Sequence, residues 1–355
     1  MELNDLLMAK DSLAAGTRPY VNSTQFDTSY SVPTGAINYT NLTKDARPYD
    51  AVVSLSGELG TFKNIQEAVN HVRTLGGGRV LIKNGTYKPT ETITLFSNIL
   101  VYGESTYNTY IDFSNVSGNG FNVGACNYSG ILNMSIFNCD VNISVTGTSN
   151  VFENLYMGSA SYDFYINSCR KCRFYNIECI NSKTDAISIN GPDIINGDYN
   201  RYENIKITNP NHSGMLITGS YNSTFNNIAV VGGTINGFEM KGNSIDRNLF
   251  LNCQANDNAK HGFYLEDLDR NIFSNCLAFS NGSNGFDLFS GGTIADTAPA
   301  DIMLLGCQIT DNKGYGIAAG THCSNILVDD LYMVFNTAGT ISDPGTKLTI
   351  GYTIP

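Results

Sequence analysis

A short pattern of apolar residues around one asparagine recurs from Ile131 to Leu331. It consists of a large apolar residue, any residue, Asn, a smaller apolar residue, any residue and a further apolar residue. Successive copies begin 21, 22, 28, 23, 25, 23, 31 and 24 residues apart. The Asn position is occupied by Asn133, Asn154, Asn176, Asn204, Asn227, Asn252, Asn275, Gly306 and Asp330. A period of this length predicts a solenoid, because each repeat can bury its apolar face only against its neighbours.

The recurring Asn predicts a sharp bend in every coil, since Asn tolerates the left-handed backbone conformation. At a strand spacing of about 4.8 Å, stacked amides can also hydrogen-bond to one another along the axis. The large residues two positions earlier should stack as one column: Phe152, Phe174, Tyr202, Phe225, Phe250 and Phe273.

A second strand should follow each copy, because short segments after it alternate between buried and exposed positions. The clearest are 214–217, 237–240, 262–265 and 285–288. No segment with a helical period fits inside these repeats. The sequence therefore predicts an all-β chain folded as a right-handed parallel β-helix.

The first 48 residues differ from the rest and predict an N-terminal arm for attachment or oligomer contact. Residues 49–355 form the predicted β-helix domain. A helix at about 62–75 should cap it, because Ile65, Ala68, Val69 and Val72 give one apolar face and glycines follow. Such a cap would cover the open end of the solenoid.

The net charge and the composition exclude some classes of binding partner. The formal net charge is −11 and only 15% of residues are charged, which argues against nucleic acid and anionic membrane surfaces. No apolar run is long enough to span a bilayer. The first residues, Met1-Glu-Leu-Asn-Asp, show neither the basic region nor the apolar core expected of a signal peptide, although the polar surface is typical of extracellular proteins. A virion component that is assembled in a cytoplasm and released by lysis would reconcile these two observations. The alternative is an extracellular protein that has lost its leader or is exported by another route, so the expected location is outside the cell or on a virion surface.

The nine cysteines predict buried, reduced thiols rather than a disulfide framework. Cys253, Cys276 and Cys307 occupy the same repeat position and should stack in the core as small apolar groups. Cys169 and Cys172 form a C-x-x-C pair, but neither a second pair nor a nearby His completes a zinc site.

The N-terminal part of the solenoid carries a recognisable run of residues. It reads FKNIQEAVN, then GGGRVLIKNGTY, TITL and SNILVYGES. Together with the Asn repeats, this run resembles the pectate-lyase-like superfamily over roughly residues 50–350. The resemblance implies a right-handed parallel β-helix that often acts on polysaccharides, including many phage tailspikes. It is specific for the fold and not for one activity, because the superfamily also contains non-enzymes.

The candidate chemistry lies on the outward positions of the second strand. One column should contain Asn122, Ser144, Tyr165, Ser188, Leu216, Glu239, Tyr264, Asp287 and Ala318. Glu239 and Asp287 are two rungs apart, or about 9.6 Å. Inverting glycosidases hold their two carboxyl groups roughly 6.5–9.5 Å apart. Tyr264 could stack on a sugar, and Glu266 and Asp267 would extend a carboxylate-lined groove. The structural alternative is a solvated face that keeps the solenoid soluble.

A second candidate is Asp185, in the segment Lys183-Thr-Asp185-Ala-Ile-Ser-Ile. The segment resembles the polygalacturonase motif N-T-D-G-x-D-I, which implies a catalytic role for Asp185. The next coil carries neither the Asp pair nor the G-H-G and R-I-K motifs of that family, so the alternative is a turn residue. Lys183 and Tyr165 are candidate substrate contacts on this side.

Two functions follow from these candidates. One is a polysaccharide-binding and polysaccharide-degrading protein of the tailspike type, either a glycoside hydrolase or a lyase. The other is a non-catalytic structural or adhesion β-helix, such as a virion decoration or receptor-binding fibre. The expected partners are a polysaccharide, two further copies in a homotrimer, and a virion attached through residues 1–48. No metal site is predicted, although acidic clusters could hold Ca²⁺.

Overall fold

The computed structural model describes residues 49–57, 60–191, 198–242, 244–289, 299–321, 323–343, 348–351 and 353–354. The predicted N-terminal arm lies outside these ranges, as do the centres of the two longest coil insertions, 192–197 and 290–298. Within them the chain winds into a parallel β-helix whose coils contribute strands to two sheets.

The first sheet has 20 strands, all paired in parallel. They are β1 Ala51–Val53, β2 Gly78–Ile82, β3 Gly85–Tyr87, β5 Ile99–Gly103, β6 Thr109–Asp112, β8 Gly130–Phe137, β10 Val151–Gly158, β12 Arg173–Ile180, β14 Arg201–Thr208, β16 Thr224–Val231, β19 Leu249–Leu251, β20 Gln254–Asn256, β22 Ile272–Ser274, β23 Leu277–Phe279, β25 Met303–Leu305, β26 Gln308–Thr310, β28 Ile326–Asp329, β29 Leu331–Val334, β31 Leu348–Ile350 and β32 Thr353–Ile354.

The second sheet has 12 strands and carries the outward column predicted above. They are β4 Ile93–Thr94, β7 Asn119–Asn127, β9 Val141–Thr148, β11 Tyr162–Arg170, β13 Ile187–Asn190, β15 Met215–Tyr221, β17 Phe238–Lys241, β18 Ile245–Asp246, β21 Phe263–Glu266, β24 Phe286–Phe289, β27 Tyr315–Ala319 and β30 Gly339–Ser342.

The predicted bend is present in every coil of the repeat. All nine residues at the Asn position have a positive φ, between 52° and 63°, as at Asn252 and Gly306. The amide ladder is only partly continuous. Asn154 donates to Asn133 at 2.8 Å, Asn176 donates to Asn154 at 2.6 Å and Asn227 donates to Asn204 at 2.9 Å, whereas the Asn252 amide reaches Asn226 instead.

The core contains the predicted aromatic column. From Phe152 to Phe273 the six rings stack at centroid distances of 5.0, 4.8, 4.7, 4.5 and 4.6 Å. A second column from the other sheet, Phe238, Phe263 and Phe286, stacks at 4.8 and 4.4 Å and meets the first edge-on. The coil register therefore fixes both sheets against one apolar core.

The capping helix, α1, spans Ile65–Thr74 and packs its predicted apolar face against the first strands. It begins later than residue 62 because Asn64 is the N-cap: its side chain accepts hydrogen bonds from the backbone N–H groups of Gln66 and Glu67. Phe62 instead pairs with Val53 as a short β-bridge. Among the described residues, no helix is both long and apolar enough for a membrane span.

All nine cysteines are free and buried. The core column is present, with Cys253, Cys276 and Cys307 fully inaccessible. Burial raises the pKa of the Cys276 thiol well above its ordinary value, so this thiol stays protonated and apolar.

Candidate functional site

The outward column of the second sheet has the register that the sequence predicts. Asn122, Ser144, Tyr165, Ser188, Leu216, Glu239, Tyr264, Asp287 and Ala318 are paired in that order. Glu239 and Asp287 therefore lie on either side of Tyr264, two rungs apart. At about 4.8 Å per rung their backbones are separated by about 9.6 Å.

Glu239 is not the solvated residue that a surface strand position suggests, because its side chain is only 8% exposed. Its Oε2 accepts hydrogen bonds from Ser213 Oγ at 2.5 Å and from Asn236 Nδ2 at 3.2 Å. Its Oε1 lies 2.8 Å from Lys241 Nζ. Burial alone would raise the pKa of Glu239, but the hydrogen bonds from Lys241 and Ser213 bring it below its ordinary value. This carboxyl group is therefore ionised and held in one orientation.

Asp185 joins the same network, although the sequence places it in a separate cluster. Its Oδ1 accepts a hydrogen bond from the backbone N–H of Ser213 at 3.0 Å, and Ser213 Oγ donates to Glu239. The same oxygen lies 2.6 Å from His212 Nδ1. Asp185 is thus connected to Glu239 through one serine on the intervening coil.

Asp287 is in a different electrostatic environment. Its Oδ2 accepts a hydrogen bond from Asn284 Nδ2 at 3.2 Å and lies 3.1 Å from His261 Nδ1. The latter two atoms are close but not aligned for a hydrogen bond. Burial raises the pKa of Asp287 and lowers the pKa of His261, so each group takes its neutral form more readily than it would in water.

An open cleft of about 340 Å³ lies over this part of the column. Tyr264 lies in it, and its hydroxyl donates to Glu266 Oε2 at 2.9 Å. Burial and the hydrogen bond to Glu266 raise the pKa of the phenol, which therefore stays protonated. The cleft is lined by His212, Ile235, Asn236, Glu239, Lys241, Lys260, His261, Tyr264 and Glu266.

Five of the eight predicted site residues lie outside the cleft lining: Asp185 and Asp287, whose contacts are given above, and Tyr165, Lys183 and Asp267. Tyr165 is on the same face but three rungs from Glu239, and the exposed Lys183 lies in the turn before β13. Asp267 occupies the turn after β21 with a φ of 57°, outside the cleft lining.

A second column, at the entry of the same strands, was missed by the sequence analysis. It contains Asp185, Ser213, Asn236, His261 and Asn284, each two residues before a buried strand residue. Most of its oxygens accept from a backbone N–H of the next coil: Ser213 Oγ from Asn236, Asn236 Oδ1 from His261 and Asn284 Oδ1 from Tyr315. The sequence did contain a signal for this column, because each member lies two residues before the first buried residue of its strand. The histidines, spread along the sequence, pair with carboxylates because coil stacking brings their rungs together.

Within the described residues, no group of three or more His, Cys, Asp or Glu side chains is arranged to hold a metal ion. The cleft lining supplies the carboxyl groups of Glu239 and Glu266, one phenol, two lysines and two imidazoles, and Asp287 lies on the rung after Tyr264, outside the lining. This set can hydrogen-bond to hydroxyl groups, and it can accept and donate protons at two separate points.

Comparisons with known proteins agree with this architecture. A family model described as "Right handed beta helix region" matches residues 142–298. No curated protein matches the chain in sequence. The A-module of mannuronan C-5 epimerase AlgE6 from Azotobacter vinelandii is similar in structure, with a TM-score of 0.61 and 13% identity over 82% of this chain and 94% of that one.

Catalytic domains of GH87 alpha-1,3-glucanases are also similar. One, in complex with tetrasaccharides, has a TM-score of 0.62 and 13% identity over 84% of this chain and 67% of that one. Another, from Streptomyces thermodiastaticus strain HF3-3, has a TM-score of 0.54 and 15% identity over 90% of this chain and 68% of that one. At these identities the likeness establishes the fold: the chain is a right-handed parallel β-helix.

Proposed function

We propose that this β-helix binds a polysaccharide in the cleft over Glu239 and Tyr264 and hydrolyses its glycosidic bonds. The observation that carries the proposal is the pair of carboxyl groups, Glu239 and Asp287, on one line with Tyr264 between them. Their rung spacing is close to the range of inverting glycosidases. The structural neighbours include an alpha-1,3-glucanase and a mannuronan epimerase, so a polysaccharide is the supported substrate class.

The two carboxyl groups are suited to different roles because their environments shift their pKa values in opposite directions. Glu239, kept ionised by Lys241 and Ser213, would accept a proton from the attacking water. Asp287, whose pKa is raised by burial, would in its protonated form donate a proton to the glycosidic oxygen. The water oxygen then bonds to the anomeric carbon as the glycosidic C–O bond breaks, with inversion of configuration.

The pH dependence of the reaction follows from these directions. Activity should rise with pH as Glu239 ionises and fall again as Asp287 loses its proton. The lowered pKa of Glu239 extends the pH range of activity downward, and the raised pKa of Asp287 extends it upward.

A non-catalytic adhesion or fibre protein is the second candidate, and one observation favours it. Three side chains donate to Glu239, and Asp185, Ser213, Asn236 and Asn284 accept backbone N–H groups from the next coil. A network of this kind can hold the coils together without taking part in any reaction.

Incubation of the full chain with a panel of neutral and uronate polysaccharides tests the proposal. New reducing ends are expected from one polymer, with inverted anomeric configuration by NMR. We expect Glu239→Gln and Asp287→Asn each to lower kcat by about 10²–10⁴-fold, the usual contribution of a general acid or base. Glu67→Gln, on the exposed side of α1, is the matched control and should retain full activity.

Melting temperatures measured for every variant separate a lost reaction from a lost fold. Unsaturated products would show a lyase and would replace the hydrolytic mechanism. If no polymer is cleaved, the second candidate is correct. The homotrimer, the virion setting, the extracellular location and bound Ca²⁺ stay predictions. Light scattering tests the trimer, and calcium titration tests the metal.

A further inference from the structure

A second cleft, of about 320 Å³, lies on the first sheet, away from the carboxylate column of the second sheet. It runs along the bends between the two halves of strands β10, β12 and β14. Its lining consists of Thr106, Tyr107, Asn154, Leu155, Asn176, Ile177, Glu178, Asn204 and Lys206. The proposed hydrolytic mechanism uses none of these residues.

An aromatic row ends at the mouth of this cleft. Tyr110 stacks on Phe137 at 5.3 Å, Phe137 meets Tyr156 at 5.4 Å, and Tyr156 meets Tyr107 at 5.5 Å. Tyr107 is 68% exposed. Its ring therefore presents apolar area to solvent at the edge of a polar cleft.

The loop that carries Tyr107 is fixed in place by its neighbour, Thr106. The Thr106 hydroxyl donates to the backbone oxygen of Asn154 at 3.2 Å, and the Thr106 carbonyl accepts from Ser135 Oγ at 2.7 Å. Both partners belong to the first sheet. The two contacts of Thr106 thus anchor the segment that carries Tyr107 to the first sheet. Binding of a ligand therefore costs little additional conformational entropy.

The floor of the cleft contains one of the places where the Asn ladder is interrupted. Asn176 is bonded to Asn154, and Asn204 is bonded to Asn227. Within the described residues, no amide–amide hydrogen bond joins Asn176 to Asn204. A ligand hydroxyl, which both donates and accepts, could bridge these two amides.

The charge of the cleft favours a neutral ligand. Its two charged side chains, Glu178 and Lys206, form an ion pair at 3.1 Å and largely cancel each other. An aromatic face beside amides and a hydroxyl is suited to a sugar, whose C–H face stacks on a ring while its hydroxyls bond to polar groups.

We propose that this cleft is a second glycan-binding site, in which a neutral sugar segment stacks on Tyr107 and hydrogen-bonds to Asn176 and Asn204. The substrate class rests on the proposed function, but the site requires no catalysis. It would hold one part of a long polymer while another part occupies the cleft over Glu239.

Binding of an α-1,3-linked glucose tetrasaccharide and of a mannuronate tetrasaccharide, followed by NMR titration, tests the proposal. The full chain carrying Glu239→Gln serves as the parent, so that neither ligand is consumed. We expect the neutral ligand to bind, and Tyr107→Ala to weaken its binding by about two- to tenfold, the typical contribution of one aromatic contact. Salt should have little effect because no net charge is engaged.

Tyr128→Ala is the matched control, because Tyr128 is 66% exposed and lies outside the cleft. Equal binding by Tyr107→Ala and Tyr128→Ala would overturn the proposal. So would binding of the mannuronate alone, or of neither ligand. If Tyr107-dependent binding persists while no polymer is cleaved, the second site stands and the hydrolytic function falls. If a polymer is cleaved but binding does not depend on Tyr107, only the second site is excluded.

Discussion

Two columns of outward side chains, one on each sheet, repeat with the same rung spacing but differ in composition. At the bend of the first sheet, seven of nine positions are Asn, and all nine share one left-handed conformation. On the second sheet, the corresponding column passes through Ser188, Leu216, Glu239, Tyr264 and Asp287. The uniform column is required by the backbone. The varied column is not, because an extended strand accepts almost any outward side chain.

This difference shows where chemistry can arise in a solenoid. A position that the coil needs is occupied by the same residue on rung after rung, as Asn is at the bend. A position that the coil does not constrain is free to carry a carboxylate on one rung and a phenol on the next. Local breaks in the uniform column are informative for the same reason, and the interruption at Asn176 and Asn204 is one of them.

The largest expected effect is a loss of stability, and it is measured by replacing one residue of the core and one residue of the varied column. Phe225 is fully buried and stacks on Tyr202 and Phe250. Phe225→Ala should lower the free energy of unfolding by about 3–5 kcal/mol, because it leaves a cavity inside the aromatic column. Tyr264→Ala, at a half-buried outward position, should cost clearly less. Urea denaturation followed by circular dichroism measures both, and equal losses would contradict the comparison.

A second test uses the pH dependence of stability. Asp163 is fully buried and has no cationic partner among the described residues, and burial raises its pKa to about 7 despite hydrogen bonds from Ser182 and Asn142. The folded state therefore binds a proton that the unfolded state releases near pH 3.8. This contribution is present below that pH and is lost as the pH rises toward about 7.

Melting temperatures of the wild-type chain should therefore decline between about pH 4 and pH 7. In Asp163→Asn this part of the decline should disappear, because the amide has no proton to lose. Glu239, which shares the second sheet but is paired with Lys241, does not contribute to this decline because its pKa is lowered. An unchanged slope in Asp163→Asn would show that another group is responsible.

The smallest expected effect distinguishes two reasons for Asn at the bend, which are its left-handed backbone conformation and its amide hydrogen bond. Asn227 has a φ of 53° and donates to Asn204. Asn227→Ala should destabilise the fold by about 1–2 kcal/mol, the cost of the left-handed conformation for an L-residue. Asn227→Gly removes the amide but accepts the conformation, so it should cost less. If both variants lose equal stability in thermal melts, the amide hydrogen bond rather than the bend is the reason for Asn.

Much of the fold was predictable because its determinants are periodic in the sequence. The Asn positions fixed the bends, and the large residues two positions earlier fixed the aromatic column. Counting residues from these positions gave the rung on which each of Glu239, Tyr264 and Asp287 lies. The helix boundary was less accurate, since the choice of Asn64 as N-cap depends on one local hydrogen-bonding pattern.

The candidate site was only half predictable. Glu239 was predicted at an outward position, either in a carboxylate-lined groove or on a solvated face, and its side chain is buried. Asp185 was assigned to a separate cluster but is connected to Glu239 through Ser213. These links join residues more than 25 positions apart in sequence. Whether side chains on neighbouring rungs meet depends on their rotamers and on the turns that aim them, and the repeat pattern specifies neither.

The sequence by itself determined the coil: its period, its bends, its core and the rung on which each outward residue lies. These properties follow from local conformational preference and from burial, and both are recorded residue by residue. The tertiary structure alone decided the electrostatics. Hydrogen bonds from Lys241 and Ser213 lower the pKa of Glu239, whereas burial raises the pKa of Asp287 despite the nearby His261, because hydrogen bonds, Coulomb interactions and desolvation depend on distances that exist only once the coils are stacked.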